Sequence, residues 1–393
     1  MKRSYQMYIL YVVIGLSWAS TFLYTPTLST YAASLGATGG IIGAITSGFG
    51  IMQLLGRAPA GMLSDYLGKS RGIMIAGMTA AFLAPLGMLI FPTPAGLMVF
   101  RTISGINAAI WPVFTAAVVS FYEREQTPHI ISRCNLINAL GNIFGMLLGG
   151  WLVERFSQNA AFLGASALGL LGLCLTLCIP ETKRGAGSRS SLRAMVRFVK
   201  DKRLMFLGLM VMVFQLIITS TSMTFTPVLA KSLGATAEEL GVLTMLSMVG
   251  MLLASLVSVR YTKLLGGVRT AIMTALLILA AGTVAIGQCQ SLRLLYLLQL
   301  IQGFGGYMVI VVLMGDSLLP YGDNERGAAG GLFQSVFAVG MILGPIVSGA
   351  FYEIMALDKL YLLLALFPSA AAVLMFALYK KLDAGWRSDD NPY

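Results

Sequence analysis

Long apolar runs recur along the whole chain, and short polar or Gly/Pro-containing connections separate them. Each run is long enough to cross about 30 Å of hydrocarbon as an α-helix. Segments of about ten residues with alternating character, as in a membrane β-barrel, do not occur. The pattern therefore predicts an all-α polytopic membrane protein with twelve transmembrane helices, numbered here as spans one to twelve. They are 8–31, 39–63, 72–91, 95–121, 131–153, 160–180, 204–230, 238–260, 268–288, 293–319, 327–352 and 358–380.

The second half of the chain repeats the first. "SLGAT" at 34–38 recurs at 232–236, an offset of 198 residues. The same offset, or one residue more, aligns these pairs: Gly43 with Gly241, Gly68 with Gly266, Arg71 with Arg269, Gly105 with Gly303, Gly145 with Gly344, and Glu154 with Glu353. Two six-helix, pseudo-symmetric bundles follow, an arrangement that secondary transporters use. We predict an N-terminal bundle at 1–182, a cytoplasmic basic linker at 183–203, and a C-terminal bundle with a short tail at 204–393.

Composition agrees with a membrane protein. Of the 393 residues, 57% are hydrophobic and 11% are charged, whereas soluble domains carry about 25% charge. The formal net charge of +11 comes from basic residues between the apolar runs, so we expect no nucleic-acid partner. Most Lys and Arg fall in loops that share a side with the termini. By the positive-inside rule, we expect both termini in the cytoplasm and the chain in the cytoplasmic membrane.

The linker is the longest polar connection and is strongly basic. Arg189, Arg193 and Arg197 lie one helical turn apart within it. One interpretation is a simple positive-inside connection. The other is a short interfacial helix on anionic lipid.

Several function classes find no support in the sequence. The four Cys form no CxxC or His/Cys cluster, so we expect neither a metal site nor a cofactor. No G-x-x-x-x-G-K phosphate loop is present, which argues against an ATP-driven pump on this chain. No His or carboxylate cluster marks one membrane face, so we do not expect an enzyme. A non-transporting sensor remains an alternative, because a fold does not fix function.

One connection carries a family motif. "GMLSDYLGKSRG" (61–72) resembles the loop 2–3 signature of the major facilitator superfamily. "RTISGINAA" (101–109) is similar to the span-four pattern of that family. "GNIFGMLLGG" (141–150) is similar to the span-five motif of exporters, with Met146 where Pro is expected. "GMILGPIVSG" (340–349) is a closer copy, and "PET" (180–182) fits the drug/proton antiporter branch.

The resemblance implies a conformational latch at the loop 2–3 signature. Asp65 would pair with Arg71 or face a helix N-terminus. Lys263 stands at the corresponding place in the second half, so we expect one latch only. Helix termination and topology explain Lys69 and Arg71 without a latch, but they do not explain Asp65. Further gating candidates, from close helix approach, turns or bends, are Gly61, Gly68, Gly105, Gly141, Gly145, Gly149, Gly344 and Pro345.

The family also implies that the first and fourth spans of each half line the substrate path. Polar residues in these spans must face protein or water, because lipid offers no hydrogen-bond partners. The stripes in spans one and seven are expected to lie each on one α-helical face. The candidates are Ser17, Thr21 and Tyr24 in span one, Arg101, Ser104 and Trp111 in span four, Gln215, Thr219 and Ser222 in span seven, and Gln299 and Gln302 in span ten.

Arg101 and Asp316 are the candidates for coupling. A cation inside a span costs at least about 2.5–3.5 kcal/mol on insertion scales. Arg101 could bind an anionic substrate group, influence a proton relay, or hold backbone carbonyls. For Asp316 we favour a structural or capping role over proton transfer. Span one has no acidic residue, although many proton-coupled members of the family have one there.

These observations favour a monomeric secondary transporter that works by alternating access. The neutral polar and aromatic lining favours export of a small amphipathic or apolar molecule, with proton antiport as the favoured coupling. The alternatives are uptake or facilitated movement of a small organic anion paired with Arg101, and the sensor. The expected partners are a small-molecule substrate, protons and the lipid bilayer.

Overall fold

The computed structural model describes residues 3–123, 126–181 and 198–388. A few side chains within these ranges, including that of Asp65, lie outside the description. So does most of the basic linker with its candidate interfacial helix. Within the described ranges, twelve helical segments are long and apolar enough to cross a membrane, which confirms the all-α polytopic fold. The spans are Tyr5–Ser34, Gly39–Ser64, Arg71–Ile90, Pro94–Val119, His129–Arg155, Gln158–Leu177, Lys202–Ser232, Ala237–Leu264, Val268–Gly287, Leu292–Leu318, Ala328–Tyr352 and Leu357–Lys381.

Several spans contain or continue longer helices. The helices are Arg3–Leu23, Thr25–Ser34, Gly39–Leu67, Arg71–Ile90, Pro94–Ala109, Trp111–Val119, Thr127–Arg155, Gln158–Leu177, Lys202–Ile218, Thr226–Ser232, Ala237–Leu264, Val268–Gly287, Leu292–Leu318, Asp323–Tyr352 and Leu357–Ser388, with a π-helix at Thr219–Phe225. Spans one, four and seven are thus each built from more than one helical piece.

The helices group into two compact units. The first comprises Met1–Arg189 together with Gly234–Met245, and the second comprises Ser190–Leu233 together with Leu246–Tyr393. In the first unit, span one packs on spans five and six, span two on span four, and span three on spans four and six. In the second unit, span seven packs on span eleven, and span nine packs on spans ten and twelve. Equivalent pairs therefore recur.

Glycine contacts confirm the repeat at atomic level. A Cβ at Gly105 would lie 2.5 Å from the carbonyl oxygen of Phe49, and one at Gly303 would lie 2.4 Å from that of Ser247. Both residues of the second pair are 198 positions after those of the first. Such close backbone approach between membrane helices needs a residue without a side chain.

The turn after span two also recurs. Gly68 has a φ of 61° and its counterpart Gly266 has a φ of 75°. These left-handed conformations strain any residue that has a Cβ. Gly68 thus ends the span-two helix, as the sequence predicts.

Spans one and seven depart from a uniform α-helix. Span one changes direction at Tyr24, after which Thr25-Pro26 begins a new helix. In span seven the π-helix precedes Thr226-Pro227. Pro227 has no N–H to donate to the preceding turn. Within the π-helix, the Thr224 hydroxyl donates to the Thr219 carbonyl at 2.6 Å.

The expected single α-helical face in span seven is therefore wrong beyond Ile218. A π-helix has a wider turn than an α-helix, so the spacing that places Gln215, Thr219 and Ser222 on one face does not hold. In general, π-helical segments occur often at functional sites.

Candidate functional site

Polar residues of spans one and four form a buried cluster in the first unit. The Ser17 hydroxyl donates to Asn107 Oδ1 at 2.9 Å. Asn107 Nδ2 donates to Thr21 Oγ1 at 3.0 Å and to the Ser17 carbonyl at 3.2 Å. All three residues are buried. The hydroxyls of Ser17 and Thr21 thus bond to span four, and Asn107, which sequence reasoning missed, joins them. Its position within the span-four motif (101–109) is the sequence feature that could have identified it.

Arg101 lies beside this cluster and is only 4% exposed. Its Nη1 is 3.3 Å from the Tyr24 hydroxyl and 3.5 Å from the Thr21 carbonyl, which are long hydrogen bonds. The guanidinium carbon lies 4.5 Å from the ring centroid of Phe49 and 5.4 Å from that of Tyr24. Nε has no hydrogen-bond partner. The cation is therefore stabilised by aromatic faces, with no carboxylate of the described residues paired to it.

The other two span-four candidates contact different groups. The Ser104 hydroxyl donates to the Arg101 carbonyl of its own helix at 2.6 Å. Trp111 begins the second helix of span four, and its ring lies edge-on to Trp18 at 5.8 Å. The structure thus brings Arg101 together with Tyr24, and it pairs Trp111 with an aromatic residue of span one.

In the second unit, Gln302 is the centre of a bonded network. Its Oε1 accepts from Thr221 at 3.4 Å and from Ser222 at 3.3 Å. Its Nε2 donates to Thr283 at 3.0 Å. The π-helix of span seven is thereby tied to spans nine and ten. Gln299, one turn earlier, is fully buried, and neither its Nε2 nor its Oε1 has a partner.

Asp316 is held by Arg203 near one end of the second unit. Nη2 of Arg203 is 2.7 Å from Oδ2 of Asp316, and both side chains are about nine-tenths buried, at 9% and 10% exposed. Nη1 of Arg203 also donates to the Asp316 carbonyl at 3.3 Å, and the Tyr379 hydroxyl donates to Oδ2 at 3.3 Å. The sequence analysis did not identify Arg203, because the predicted span seven begins at residue 204, whereas the span in the structure begins at Lys202.

The loop between spans two and three is fixed to the end of span six. Nη2 of Arg71 donates to the Leu177 carbonyl at 2.5 Å. Glu181 Oε1 accepts from the backbone N–H groups of Ser70 at 3.1 Å and Arg71 at 3.2 Å. In the second unit, Arg269 donates to the Phe376 carbonyl in the corresponding way. Arg71 is therefore a structural anchor, and Asp65, whose side chain is outside the description, remains a predicted latch.

Gly61 and Lys69 differ in what surrounds them. A Cβ at Gly61 would meet nothing within 4 Å, so the expected close helix approach at Gly61 is wrong. Lys69 is exposed and lies with Glu181 at a mainly apolar cavity of about 440 Å³. Spans two, three and four supply its walls, including Leu67, Ile73 and Ile106.

Glu181→Gln tests the cap on span three. A carboxylate at a helix N-terminus interacts with the free N–H groups and the helix dipole. We expect the substitution to lower the free energy of unfolding by about 0.5–1 kcal/mol, seen as a lower melting temperature of the purified protein. Glu123→Gln, in an exposed loop position, is the control. An equal effect of the two substitutions would contradict the cap.

The glycine stripe of span five lies directly on span one. A Cβ at Gly141, Gly145 or Gly149 would be 2.7, 2.5 and 1.6 Å from the carbonyl oxygens of Gly15, Ala19 and Leu23, respectively. In the second unit, a Cβ at Gly344 would lie 2.4 Å from the Leu216 carbonyl oxygen. Pro345 follows within the same continuous helix.

The far end of span five contacts the start of span eight within the first unit. Glu154 Oε2 accepts from the Ala237 N–H, at the start of the helix, at 2.8 Å. A Cβ at Gly241 would be 2.6 Å from the Met146 carbonyl oxygen, and one at Gly150 would be 2.7 Å from that of Ala237. The repeat aligned Glu154 with Glu353 but assigned it no role. Its partner is distant in sequence, so no local signal predicted the cap.

The described residues contain no cluster of potential metal ligands. Among the described residues, no group of three or more His, Cys, Asp or Glu side chains could hold a metal ion. Apart from Gln299, the buried groups described above engage in hydrogen bonds, in contacts with aromatic faces and in the Arg203–Asp316 ion pair.

Comparisons with known proteins place this arrangement in a family. The family model described as Major Facilitator Superfamily matches residues 10–228 and 207–392. The chain is 24% identical to Multidrug resistance protein 1 of Bacillus subtilis (strain 168) over 365 residues, covering 90% of this chain and 91% of that protein. It is 23% identical to Quinolone resistance protein NorA of Staphylococcus aureus (strain MSSA476) over 392 residues, covering 96% and 97%.

A solved structure shares the fold. The crystal structure of the nucleoside transporter NupG superimposes with a TM-score of 0.80 at 18% identity, covering 97% of this chain and 100% of that chain. Since the family model spans nearly the whole sequence and the twelve helices follow the same fold, the chain is a member of the major facilitator superfamily of transporters.

Proposed function

We propose that this transporter exports a small amphipathic or apolar organic molecule across the cytoplasmic membrane by alternating access, driven by proton antiport. Full-length similarity to proteins named for multidrug and quinolone resistance carries the proposal. The buried polar groups support it, since those of spans seven and ten, apart from the Arg203–Asp316 ion pair, are uncharged amides and hydroxyls. Such groups suit a neutral or amphipathic solute better than a highly charged one.

The proposal includes a topology and an oligomeric state. Both termini lie in the cytoplasm, as the distribution of basic loops favours, and one chain is the working unit. The residues of the predicted path remain candidates. Among them, Tyr24, Arg101, Gln299 and Gln302 are supported by their burial inside membrane spans.

Proton coupling needs a titratable group, and the candidate Asp316 is engaged in an ion pair with Arg203 in this structure. We therefore assign Asp316 a structural role.

Transport in proteoliposomes with an acidic lumen tests the proposal. We expect norfloxacin and tetraphenylphosphonium to accumulate above the level in protein-free liposomes, because outward proton flow drives the solute inward. Nigericin, which dissipates the pH gradient, should abolish the excess. Accumulation that persists at full rate after nigericin removes proton antiport. Absence of any protein-dependent movement of either probe removes the export proposal and leaves the sensor.

Movement of a small organic anion is the second candidate function. The specific observation is the buried Arg101 guanidinium, whose Nε has no partner and which no described carboxylate neutralises. A bound carboxylate would supply the missing charge and accept a charge-assisted hydrogen bond.

Arg101→Gln separates the two candidates. If a carboxylate binds there, we expect the affinity for norfloxacin to fall about tenfold or more, while affinity for decarboxylated norfloxacin is unchanged. Arg101→Lys, which keeps the charge, should lose less. Binding measured by ligand-induced stabilisation reads this out. Retained norfloxacin affinity in Arg101→Gln would end the anion hypothesis.

A further inference from the structure

Gln299 is the most conspicuous unpaired polar side chain of the second unit. It is 0% exposed, and both its Nε2 and its Oε1 lack a hydrogen-bond partner. Burying an amide without partners is unfavourable, and native proteins keep such groups rarely and for a reason. The cost implies that the amide has a use outside the fold.

A second unpaired group lies on the helix that faces Gln299. Gly303 is one turn after Gln299 on the same face of span ten. A Cβ at Gly303 would lie 2.4 Å from the Ser247 carbonyl oxygen of span eight. The Ser247 hydroxyl is 0% exposed and also has no partner. Two unsatisfied neutral polar groups thus lie on neighbouring helices, spans eight and ten.

The repeat relates these two positions to a pair of residues that touch in the first unit. Gln299 and Ser247 are 198 residues after Arg101 and Phe49, at the offset that the contacts of Gly105 and Gly303 confirm. In the first unit, the corresponding side chains touch, with the Arg101 guanidinium 4.5 Å from the Phe49 ring centroid. In the second unit, the same pair of positions carries an amide and a hydroxyl.

The neighbouring Gln302 shows that a buried amide on span ten can form its hydrogen bonds within the fold. Gln302, one turn further along span ten, bonds to Thr221, Ser222 and Thr283. Its amide is used within the fold, whereas that of Gln299 is available to a ligand. Gln302 is therefore a matched control from the same helix.

We propose that Gln299 and Ser247 form a binding site for an uncharged solute group that carries a hydrogen-bond donor beside an acceptor, as the edge of a cis-amide or lactam does. A carboxamide offers one acceptor and one donor side by side, so it pairs with such an edge through two parallel hydrogen bonds. The Ser247 hydroxyl supplies a further donor or acceptor. This inference rests on the proposed export function and names the chemistry of the substrate.

A matched pair of ligands tests the site. Quinolin-2(1H)-one presents N–H beside C=O, and its N-methyl derivative lacks the donor. With the purified full-length protein in nanodiscs, we expect the lactam to bind about tenfold more tightly than the N-methyl compound, as read from ligand-induced thermal stabilisation. In Gln299→Met the two should bind equally. No preference in the unaltered protein, or a preference kept in Gln299→Met, would overturn the proposal.

Stability without ligand gives an independent reading. Gln299→Met removes an unpaired amide, so we expect its melting temperature to equal or exceed that of the unaltered protein. Gln302→Met should melt lower, because it breaks three hydrogen bonds. A decrease in Gln299→Met as large as that in Gln302→Met would show that Gln299 serves the fold and would refute the ligand site. Ser247→Ala is the second variant, with a reduced lactam preference expected and an unchanged one contradicting the role of Ser247.

Failure of the site and failure of the export function are distinguishable. Tetraphenylphosphonium has neither an N–H donor nor a carbonyl acceptor, so its pH-driven transport by the unaltered protein reports export independently of the lactam site. Transport of this cation without a lactam preference refutes the site alone. A lactam preference without transport of either probe refutes export alone.

Discussion

Asp316→Asn is expected to lower the free energy of unfolding by about 3–5 kcal/mol, because it leaves the buried Arg203 charge without its counter-ion. The pair is close, at 2.7 Å, and both side chains are about nine-tenths buried. The contact of Arg203 Nη1 with the Asp316 carbonyl at 3.3 Å does not replace a carboxylate. We expect a strongly reduced melting temperature and a reduced yield of folded protein.

A double variant distinguishes the contribution of the two charges from that of the volume of the two side chains. Arg203→Met with Asp316→Leu removes both charges, and such replacements are often neutral or stabilising. We expect it to recover most of the stability that Asp316→Asn loses. Its pH-driven transport should also survive, since we assign Asp316 a structural role. Stable double-variant protein that has lost only the proton dependence of transport would contradict that role and make Asp316 a coupling group.

Gly149→Ala is expected to destabilise the first unit by about 3 kcal/mol, at the upper end of the range for overpacking. The added methyl would lie 1.6 Å from the Leu23 carbonyl oxygen and 2.6 Å from its carbon. Both atoms are backbone, so no side-chain rotation relieves the clash and spans one and five must separate.

Gly61→Ala is the matched control in an open helix position. Its Cβ would meet nothing within 4 Å, and alanine favours a helix over glycine. We expect an unchanged or slightly raised melting temperature of the detergent-solubilised protein. If Gly149→Ala melts at the same temperature as Gly61→Ala, the close packing of spans one and five is not as described.

The architecture could be predicted because it depends on patterns within each half. Apolar length determines the spans, and "SLGAT" with its offset predicted the repeat that Gly105 and Gly303 confirm. Composition alone would not have given that register. It came from "SLGAT" and from glycines aligned at the same offset, of which Gly105 and Gly303 recur because two backbones meet at each of them.

The details of the site depend on contacts between distant residues, and the sequence carries little of that information. The π-helix arises where a Thr/Ser-rich stretch meets Pro227, and periodicity reasoning assumed an α-helix there. Arg203 was missed because the predicted boundary of span seven excluded it. A buried acid in a membrane nevertheless requires a cation partner, and a search of the adjoining span ends for one would have found it.

Asn107 and Glu154 illustrate the same limit. Asn107 lay within a quoted motif, but only the packing of spans one and four shows that its amide satisfies Ser17 and Thr21. Glu154 was aligned with Glu353 by the repeat. Its N–H partner at Ala237 is distant in the chain, so tertiary structure was needed to find it.

Counterflow of norfloxacin tests the central claim of carrier-mediated exchange most directly. Proteoliposomes are loaded with unlabelled norfloxacin, no pH gradient is imposed, and a trace of labelled norfloxacin is added outside. We predict a transient accumulation of label above its equilibrium level, because a binding site that alternates between the two sides exchanges solute without net flux. Saturable binding of norfloxacin to the protein, with label entering only as fast as into protein-free liposomes, would contradict the account.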